Sequence, residues 1–361
     1  MTFKQPLNLL PGIILAFILY SFAEGINNVI GKEILGYDKS PISTAMIAII
    51  LGLILGNIFN IRKGFLIGLD FTQKYILKLG IICLGIQLKP FEFIKFGSIA
   101  IPLIIVCIVS VLIVIKLLIK KLKISRGMSY LIAIGSTVCG TTAIIATAPV
   151  INAKKSEISY AIANMTVFGV LAMLIYPYFA NFYFEGDPMF VGLFLGTAIH
   201  ETSQVAAAGL IYDQQFNSPE TLNISTVTKL IRNTFLVIMI PLFAYLYNRG
   251  QEHQKNYSII NIFPYFVLGF IALIILRNVG DAFFLQTNIS GEEMWIEFVN
   301  FVKSSAKIFL SMAMAAVGLS TNLKDLKSMG YKPFIVGFVS LLTVGVVSLT
   351  AIEFFNNLIL N

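Results

Sequence analysis

Long apolar runs separated by short polar loops dominate the chain. The runs recur along its whole length, and many are close to the roughly 20 apolar residues that an α-helix needs to cross a bilayer. This pattern predicts an all-α, polytopic membrane protein with about nine full spans. The predicted spans are 10–30, 42–60, 73–91, 98–120, 157–180, 222–248, 258–277, 304–323 and 334–357.

Two further apolar segments, 128–150 and 190–212, are each interrupted by small and polar residues. The first interruption is GSTVCGTT at 135–142, and the second is GTAIHETSQ at 196–204. Polar groups and unwound backbone are costly in hydrocarbon, so such runs are expected where they are buried in protein or line a watery cavity. In secondary transporters, paired interruptions of this kind point to the binding site. We therefore predict two broken or re-entrant helices.

Composition agrees with a membrane protein. The chain is 57% hydrophobic and 12% charged, whereas soluble domains are about 25% charged. A single transmembrane domain is predicted over 1–361, with approximate halves 1–180 and 190–361. The net charge of +8 does not indicate nucleic-acid binding, because the basic residues lie in short loops where membrane anchoring explains them. No Walker phosphate loop occurs and the three cysteines lack metal-ligand spacing, so neither a cofactor nor a metal is predicted.

Loop charges predict the orientation of the spans. Basic loops near 62–74, 120–126, 249–255 and 324–332 are expected in the cytoplasm, and acid-rich loops near 185–187, 213–220 and 281–297 outside. This arrangement puts the N-terminus in the cytoplasm and the C-terminus outside. It also favours 128–150 and 190–212 as segments that enter from opposite faces and return. Two full crossings, giving eleven spans, are the alternative.

Internal similarity indicates a duplicated architecture. Residues 84–97 match 317–330 at one constant offset, and 135–148 resemble 196–209. The predicted topology gives the members of each pair opposite directions, as in the inverted repeats of transporters. Chance matching is the alternative, because Gly is frequent in membrane helices. The two matches do not fit one simple repeat order.

The first interruption is rich in hydroxyl groups. Its candidate ligand-binding residues are Ser136, Thr137, Cys139, Gly140, Thr141 and Thr142. A broken helix exposes free N–H groups and a positive dipole end, which suit an anion. The alternative is helix packing through small residues.

The second interruption carries the titratable groups. Glu201 stands beside His200 and Thr202 and three residues before Gln204. An ionisable residue within a membrane segment is a functional hypothesis by default. Glu201 could carry a proton, bind a cation or pair with a basic residue, and His200 could share a proton. A buried structural ion pair is the alternative.

Two basic residues and one amide complete the candidate set. Lys229 and Arg232 are three residues apart and lie on one helix face, where they could neutralise an anion or pair with Glu201. Interfacial snorkelling is an equal alternative for them. Asn164 could contribute to an ion site or simply hydrogen-bond between helices.

Several runs resemble a known family. They are VCGTTAI at 138–144, APVI at 148–151, YAIA at 160–163, IHETSQVAAAG at 199–209 and KLIR at 229–232. These runs are similar to the bacterial sulfate exporter family, so called because sulfate export is ascribed to its members. The resemblance implies a multi-pass inner-membrane transporter, distantly related to cation–proton antiporters and bile-acid-symporter-like folds. It further implies inverted repeats, an elevator-like moving core on a scaffold, and alternating access. Family members often have Ala or Ser where this chain has Thr141 and Thr142.

Three functional hypotheses follow. The first is a secondary transporter of a small anion, sulfate or an organic sulfonate, coupled to H⁺ or Na⁺ through Glu201 and His200. Its partners would be the substrate and the lipid bilayer, with a homodimer as a further expectation. The second is cation–proton antiport with Glu201 and Asn164 as the ion site. The third is an intramembrane enzyme using Cys139 and His200, which no recognisable nucleophile motif supports, so no enzymatic activity is expected.

Overall fold

The structure is a computed structural model that describes residues 8–34, 43–59, 61–88, 90–122, 124–248, 265–285, 291–321 and 331–360. Within these ranges the regular elements are helices, which confirms the predicted all-α class. The α-helices are α1 (Leu10–Asn28), α2 (Thr44–Ile58), α3 (Lys63–Phe71), α4 (Leu77–Leu84), α5 (Pro90–Leu122), α6 (Arg126–Thr137), α7 (Gly140–Thr147), α8 (Lys155–Tyr183), α9 (Pro188–Ala198), α10 (Thr202–Phe216), α11 (Pro219–Thr234), α12 (Leu236–Asn248), α13 (Phe266–Gly280), α14 (Glu292–Ser320) and α15 (Tyr331–Leu360).

The described residues contain seven stretches that are long and apolar enough to cross a membrane. They are α1, α5, α8, α11 with α12, α13 with the π-helical turn that follows it, α14 and α15. This finding confirms a polytopic membrane protein. The segments 128–150 and 190–212 are both broken helices, as predicted.

Several predicted spans differ from the observed helices. The span predicted at 304–323 is α14, which begins twelve residues earlier at Glu292, so Glu292, Glu293 and Glu297 lie in a helix rather than in a loop. The span predicted at 42–60 is the 15-residue helix α2, which Ser43 caps by accepting a hydrogen bond from Met46 N at 3.1 Å. At about 1.5 Å per residue it is shorter than the roughly 30 Å hydrocarbon core. The span predicted at 73–91 begins ten residues earlier, at α3, and continues through a π-helical turn at Thr72–Ile76 into α4. Asp70 and Lys74 pair at 2.7 Å across one turn, so these charges lie on a helix face rather than in a loop.

Some sequence predictions fall outside the described residues. These include the basic residues Arg249, Lys255, Lys324 and Lys327, and the end of the second repeat copy at 322–330. The inverted repeat and the division into halves therefore stay predictions.

The chain forms two compact units, each built from separate stretches of sequence. The first takes its helices from Met1–Lys95, Ala206–Asn223 and Tyr265–Asn322, and the second from Phe96–Val205, Ile224–Pro264 and Leu323–Asn361. The boundaries fall inside α5, α10 and α11. Each unit is therefore assembled from three separate stretches of sequence, the first beginning at the N-terminal end and the second finishing at the C-terminal end.

Small residues let the helices of the first unit pack closely. A Cβ atom placed on Gly52 of α2 would lie only 2.7 Å from the carbonyl oxygen of Ala315 in α14. A Cβ on Gly318 of α14 would lie 2.4 Å from the carbonyl oxygen of Ile49. Glycine at such contacts allows helix backbones to approach one another in a membrane.

The second unit holds α6, α7, α8, α9, α12 and α15 together with parts of α5, α10 and α11. Ser125 caps α6, and its hydroxyl also donates to Glu157 of α8 at 2.6 Å. Thr197 at the end of α9 and Ser348 of α15 share a hydrogen bond of 2.5 Å. Both breaks, at 138–139 and at 199–201, lie in this unit.

Candidate functional site

The first break lies between α6 and α7. Val138 and Cys139 leave the helical conformation, and Gly140 then takes a φ of 23°, on the side of the φ/ψ map that favours glycine. A Cβ atom on Gly140 would lie 2.6 Å from Oε2 of Glu201. The position therefore requires glycine both for its backbone angle and for the close approach of a carboxylate.

The chain reverses its direction at this break. A Cβ atom placed on Gly135 in α6 would lie 3.0 Å from Cδ1 of Ile144 in α7. In a straight helix these two positions would be about 13 Å apart along the axis, at about 1.5 Å per residue. Helices α6 and α7 thus fold against each other as a hairpin, which agrees with the re-entrant form of the prediction.

The second break separates α9 from α10. Ile199 is extended, with φ −89° and ψ 136°, and α10 starts again at Thr202. The break follows Gly196 by the same three residues that separate Gly135 from Val138. Each break leaves backbone carbonyl groups at the end of one helix and N–H groups at the start of the next.

Lys229 and Arg232 of α11 bind the carbonyl ends of both α6 and α9. Nζ of Lys229 donates to the carbonyl oxygens of Val138 at 3.0 Å, Ile199 at 3.0 Å and His200. The Arg232 guanidinium donates to carbonyl oxygens on both sides as well. Its bonds are Nε to Thr137 at 2.9 Å, Nη2 to Ser136 at 2.6 Å, and Nη1 to Thr197 at 2.6 Å and Ile199 at 3.4 Å.

This geometry corrects two expectations for the basic pair. The side chains do not snorkel to the interface, because Lys229 is 0% exposed and Arg232 is 1% exposed. They also form no ion pair with Glu201, although all three residues are described. The physical reason is that carbonyl groups at a helix C-terminus carry partial negative charge and attract cations. Each of the three protons on Lys229 is already used, so this ammonium has none left for a ligand.

Glu201 lies at the opposite, N-terminal end of α7. Its Oε2 accepts hydrogen bonds from the backbone N of Thr141 at 3.0 Å and from Thr141 Oγ1 at 2.6 Å. A carboxylate at a helix N-terminus is stabilised by the free N–H groups and the positive dipole end. The side chain is partly exposed, in contrast to the two cations.

Cys139, Thr202 and Asn233 meet beside this carboxylate. Sγ of Cys139 lies 3.2 Å from Oγ1 of Thr202, which accepts a hydrogen bond from Nδ2 of Asn233 at 3.0 Å. Asn233 is buried and was given no role from the sequence. Its spacing of i+4 from Lys229 places it on the same face of α11, and this spacing was the available signal.

The side chains of several remaining candidate residues lie near the breaks but form their hydrogen bonds with groups other than Lys229, Arg232 and Glu201. Thr137 Oγ1 donates to the Ile134 carbonyl at 3.0 Å, and Ser136 Oγ lies 3.8 Å from Sδ of Met165, so their backbone carbonyls rather than their hydroxyls join the site. Gln204 donates to the Thr166 carbonyl at 3.2 Å. Thr142 is exposed, and His200 is buried.

Asn164 is buried on α8 and packs against α15. A Cβ atom on Gly337 would lie 1.7 Å from Oδ1 of Asn164, so this amide lies directly against the backbone of α15 at that glycine. The roles predicted for these residues in substrate and ion binding stay predictions. The structure does bring residues of both breaks into one cluster with Lys229 and Arg232.

Comparison with known proteins identifies the family. The chain matches the model of the family described as Conserved hypothetical protein 698 over residues 11–337. It is 35% identical over 351 residues to the UPF0324 membrane protein of Streptococcus agalactiae serotype V, covering 97% of this chain and 98% of that protein. The similar protein of Fusobacterium nucleatum is 34% identical over 347 residues, covering 95% and 97%. That of Clostridium tetani is 30% identical over 351 residues, covering 93% and 94%. In agreement with the resemblance seen in its sequence, the chain belongs to the UPF0324 family of membrane proteins.

Proposed function

We propose that the protein is a secondary active transporter of a small anion, with sulfate or an organic sulfonate as the substrate, driven by H⁺ or Na⁺. One observation carries the proposal. Two fully buried cations, Lys229 and Arg232, lie at the breaks without a carboxylate partner among the described residues, and their hydrogen bonds go to backbone carbonyl groups.

The charges of the cluster favour an anion. Each helix end carries about half an elementary charge, so the C-terminal ends of α6 and α9 together offset about one of the two cationic charges. The N-terminal ends of α7 and α10 add about one positive charge, which Glu201 offsets. About one positive charge is left in excess. An uncompensated charge is costly away from water, and a bound anion would neutralise it.

The substrate would bind at the N-terminal ends of the broken helices. Because Lys229 has no free proton, its role in the proposal is to supply positive potential, not a direct bond. The direct donors would be backbone N–H groups of α7 and α10 and the hydroxyls of Thr141, Thr142 and Thr202, since helix N-termini bind sulfate and carboxylate groups readily. Glu201 would bind the coupling ion.

Alternating access would then move the site between the two faces of the membrane. Both breaks and both buried cations belong to the second compact unit, which supports this unit as the moving element of an elevator-like mechanism. The proposed orientation keeps the N-terminus in the cytoplasm and the C-terminus outside.

Flux measurements in proteoliposomes test this function. The wild-type protein is expected to accumulate radiolabelled sulfate or a sulfonate under a pH or Na⁺ gradient. Glu201→Gln is expected to remove the gradient dependence and still give a monodisperse protein in detergent. The matched control is Glu353→Gln, which should behave as wild type. Glu353 is an exposed residue of α15, and its carboxylate accepts a hydrogen bond from the Tyr183 hydroxyl at 2.5 Å. Gradient-driven uptake by Glu201→Gln would contradict the proposal.

A second candidate is cation–proton antiport without an anionic substrate. It is favoured by two buried oxygens that have no partner within the described residues, Oε1 of Gln204 and Oδ1 of Asn233, since carbonyl oxygens are typical ligands of hard cations. A pH-sensitive dye in vesicles free of sulfate separates the two functions. Cation-driven proton movement without any anion substrate would favour the antiporter.

A further inference from the structure

The carboxylate of Glu201 occupies the donors that an anionic substrate would need. Its Oε2 takes both the N–H and the hydroxyl of Thr141, at 3.0 Å and 2.6 Å, at the start of the eight-residue helix α7. Gly140 leaves room for this approach, because a Cβ atom there would lie 2.6 Å from the same oxygen. An oxyanion binding at this helix end would therefore compete with Glu201 for the same two hydrogen bonds.

A hydrogen-bond acceptor without a donor lies beside Glu201. Asn233 is 2% exposed, yet its Oδ1 has no partner in the part of the chain that the structure describes. Nδ2 of Asn233 donates to Oγ1 of Thr202, the neighbour of Glu201, and this oxygen lies 3.2 Å from Sγ of Cys139 at the start of α7. An ionised carboxylate cannot satisfy an acceptor, whereas a protonated carboxyl carries one O–H donor.

We propose that Glu201 is a built-in substitute for the substrate, and that a divalent oxyanion replaces it on Thr141 when Glu201 takes up a proton. The proton comes from water and forms an O–H bond on the Glu201 carboxyl, which then donates to Oδ1 of Asn233. One proton accompanies each anion, so both move in the same direction. This inference rests on the proposed function and specifies its substrate charge and its coupling ion.

The charge of the cluster explains why the substrate is a dianion. With Glu201 ionised, the cluster has about one positive charge in excess, and protonation raises the excess to about two. A dianion such as sulfate matches the second state. Binding of the anion and binding of the proton therefore favour each other, and this coupling is reciprocal.

Other titratable and charged groups face the same cluster and need to be separated from Glu201. They are Cys139 at the start of α7, His200 in the second break, and Lys229 and Arg232 on α11. The two basic groups are held by carbonyl oxygens in their charged form. The variant His200→Gln tests the remaining titratable group of the second break.

Equilibrium binding of radiolabelled sulfate to the purified full-length protein in Na⁺-free detergent solution tests the inference. The Kd for sulfate is measured between roughly pH 5 and 9. In the alkaline part of this range it is expected to rise about tenfold per pH unit. In weak buffer, in the alkaline part of this range, one proton should be taken up for each sulfate bound. Glu201→Gln should bind sulfate at all these pH values with the acid-side affinity of the wild type and take up no proton.

The control variants decide whether Glu201 is the coupling group. Glu353→Gln should keep the pH dependence of the wild type, and a dependence that is lost in His200→Gln but kept in Glu201→Gln would assign the proton to His200 instead. The inference is overturned if wild-type binding does not depend on pH, if Glu201→Gln keeps the dependence, or if sulfate binds only when Na⁺ is added. If neither sulfate nor methanesulfonate binds to the wild type or to Glu201→Gln at any pH, the proposed anion transport fails together with it.

Discussion

The substitution Lys229→Met tests whether the buried lysine holds the two breaks together. Methionine has similar length and flexibility but carries no proton to donate. In the native protein Nζ of Lys229 serves the carbonyl oxygens of Val138, Ile199 and His200, and the side chain is 0% exposed. The substitution therefore leaves three carbonyl groups without this donor in a place that water does not reach from the surface.

The expected loss of stability follows from these three groups. Leaving one buried acceptor unsatisfied costs about 1–3 kcal/mol, and Ile199 keeps a longer bond to Arg232 at 3.4 Å. The free energy of unfolding should fall by about 3 kcal/mol or more, which corresponds to a decrease in Tm of about 10 °C for a domain of a few hundred residues.

Thermal unfolding in detergent, followed by intrinsic fluorescence, measures the effect. Lys74→Met is the matched control, because Lys74 forms an exposed pair with Asp70 at 2.7 Å, with side chains 54% and 46% exposed. An exposed pair of this kind contributes at most about 1 kcal/mol, so the Tm should change by less than about 3 °C.

A Tm for Lys229→Met equal to that of the Lys74→Met control would refute the reasoning. It would mean that the carbonyl ends of α6 and α9 do not need the cation. If sulfate binding were lost while the Tm stayed constant, Lys229 would instead be a direct substrate ligand with a free proton in the working state.

Three further predictions concern glycine contacts and topology. Gly140→Ala is expected to slow transport and lower the Tm, because its Cβ would lie 2.6 Å from Glu201 Oε2 at a φ of 23°; uptake at the wild-type rate would contradict this. Gly52→Ala should lower the Tm, since its Cβ would meet the Ala315 carbonyl at 2.7 Å. Gly25→Ala should keep the Tm or raise it, because no described atom lies within 4 Å of the new Cβ and Ala is favoured over Gly by about 1 kcal/mol in a helix. Equal Tm changes for these two variants would count against the packing described for α2 and α14. Reporter fusions are expected to place the N-terminus in the cytoplasm and the C-terminus outside, and reporters on one side at both ends would show that the loop charges were misinterpreted.

The membrane class and the two breaks were predictable from the sequence because both depend on local composition. An apolar run long enough for a bilayer needs no tertiary information to be recognised. The interruptions at 135–142 and 196–204 contain the observed breaks at 138–139 and 199–201, since small polar residues are tolerated in membrane segments where backbone groups have partners other than lipid. The length of α2 was less predictable, because the cap at Ser43 decides where it starts.

The partners of the charged groups were decided by tertiary structure alone. Lys229 and Arg232 on α11 reach carbonyl groups about 90 residues and 30 residues earlier in the chain, and nothing in their own segment specifies those partners. From the sequence, neutralising an anion, pairing with Glu201 and snorkelling to the interface were all open for these two residues. The carboxylate instead lies at the positive end of α7, and the cations lie at the negative ends of α6 and α9. Residue types and spacing thus determined that charges and broken helices occur together. Only the folded arrangement of helix ends determined which charge meets which end, because that depends on where the chain stops being helical and on what packs against it there.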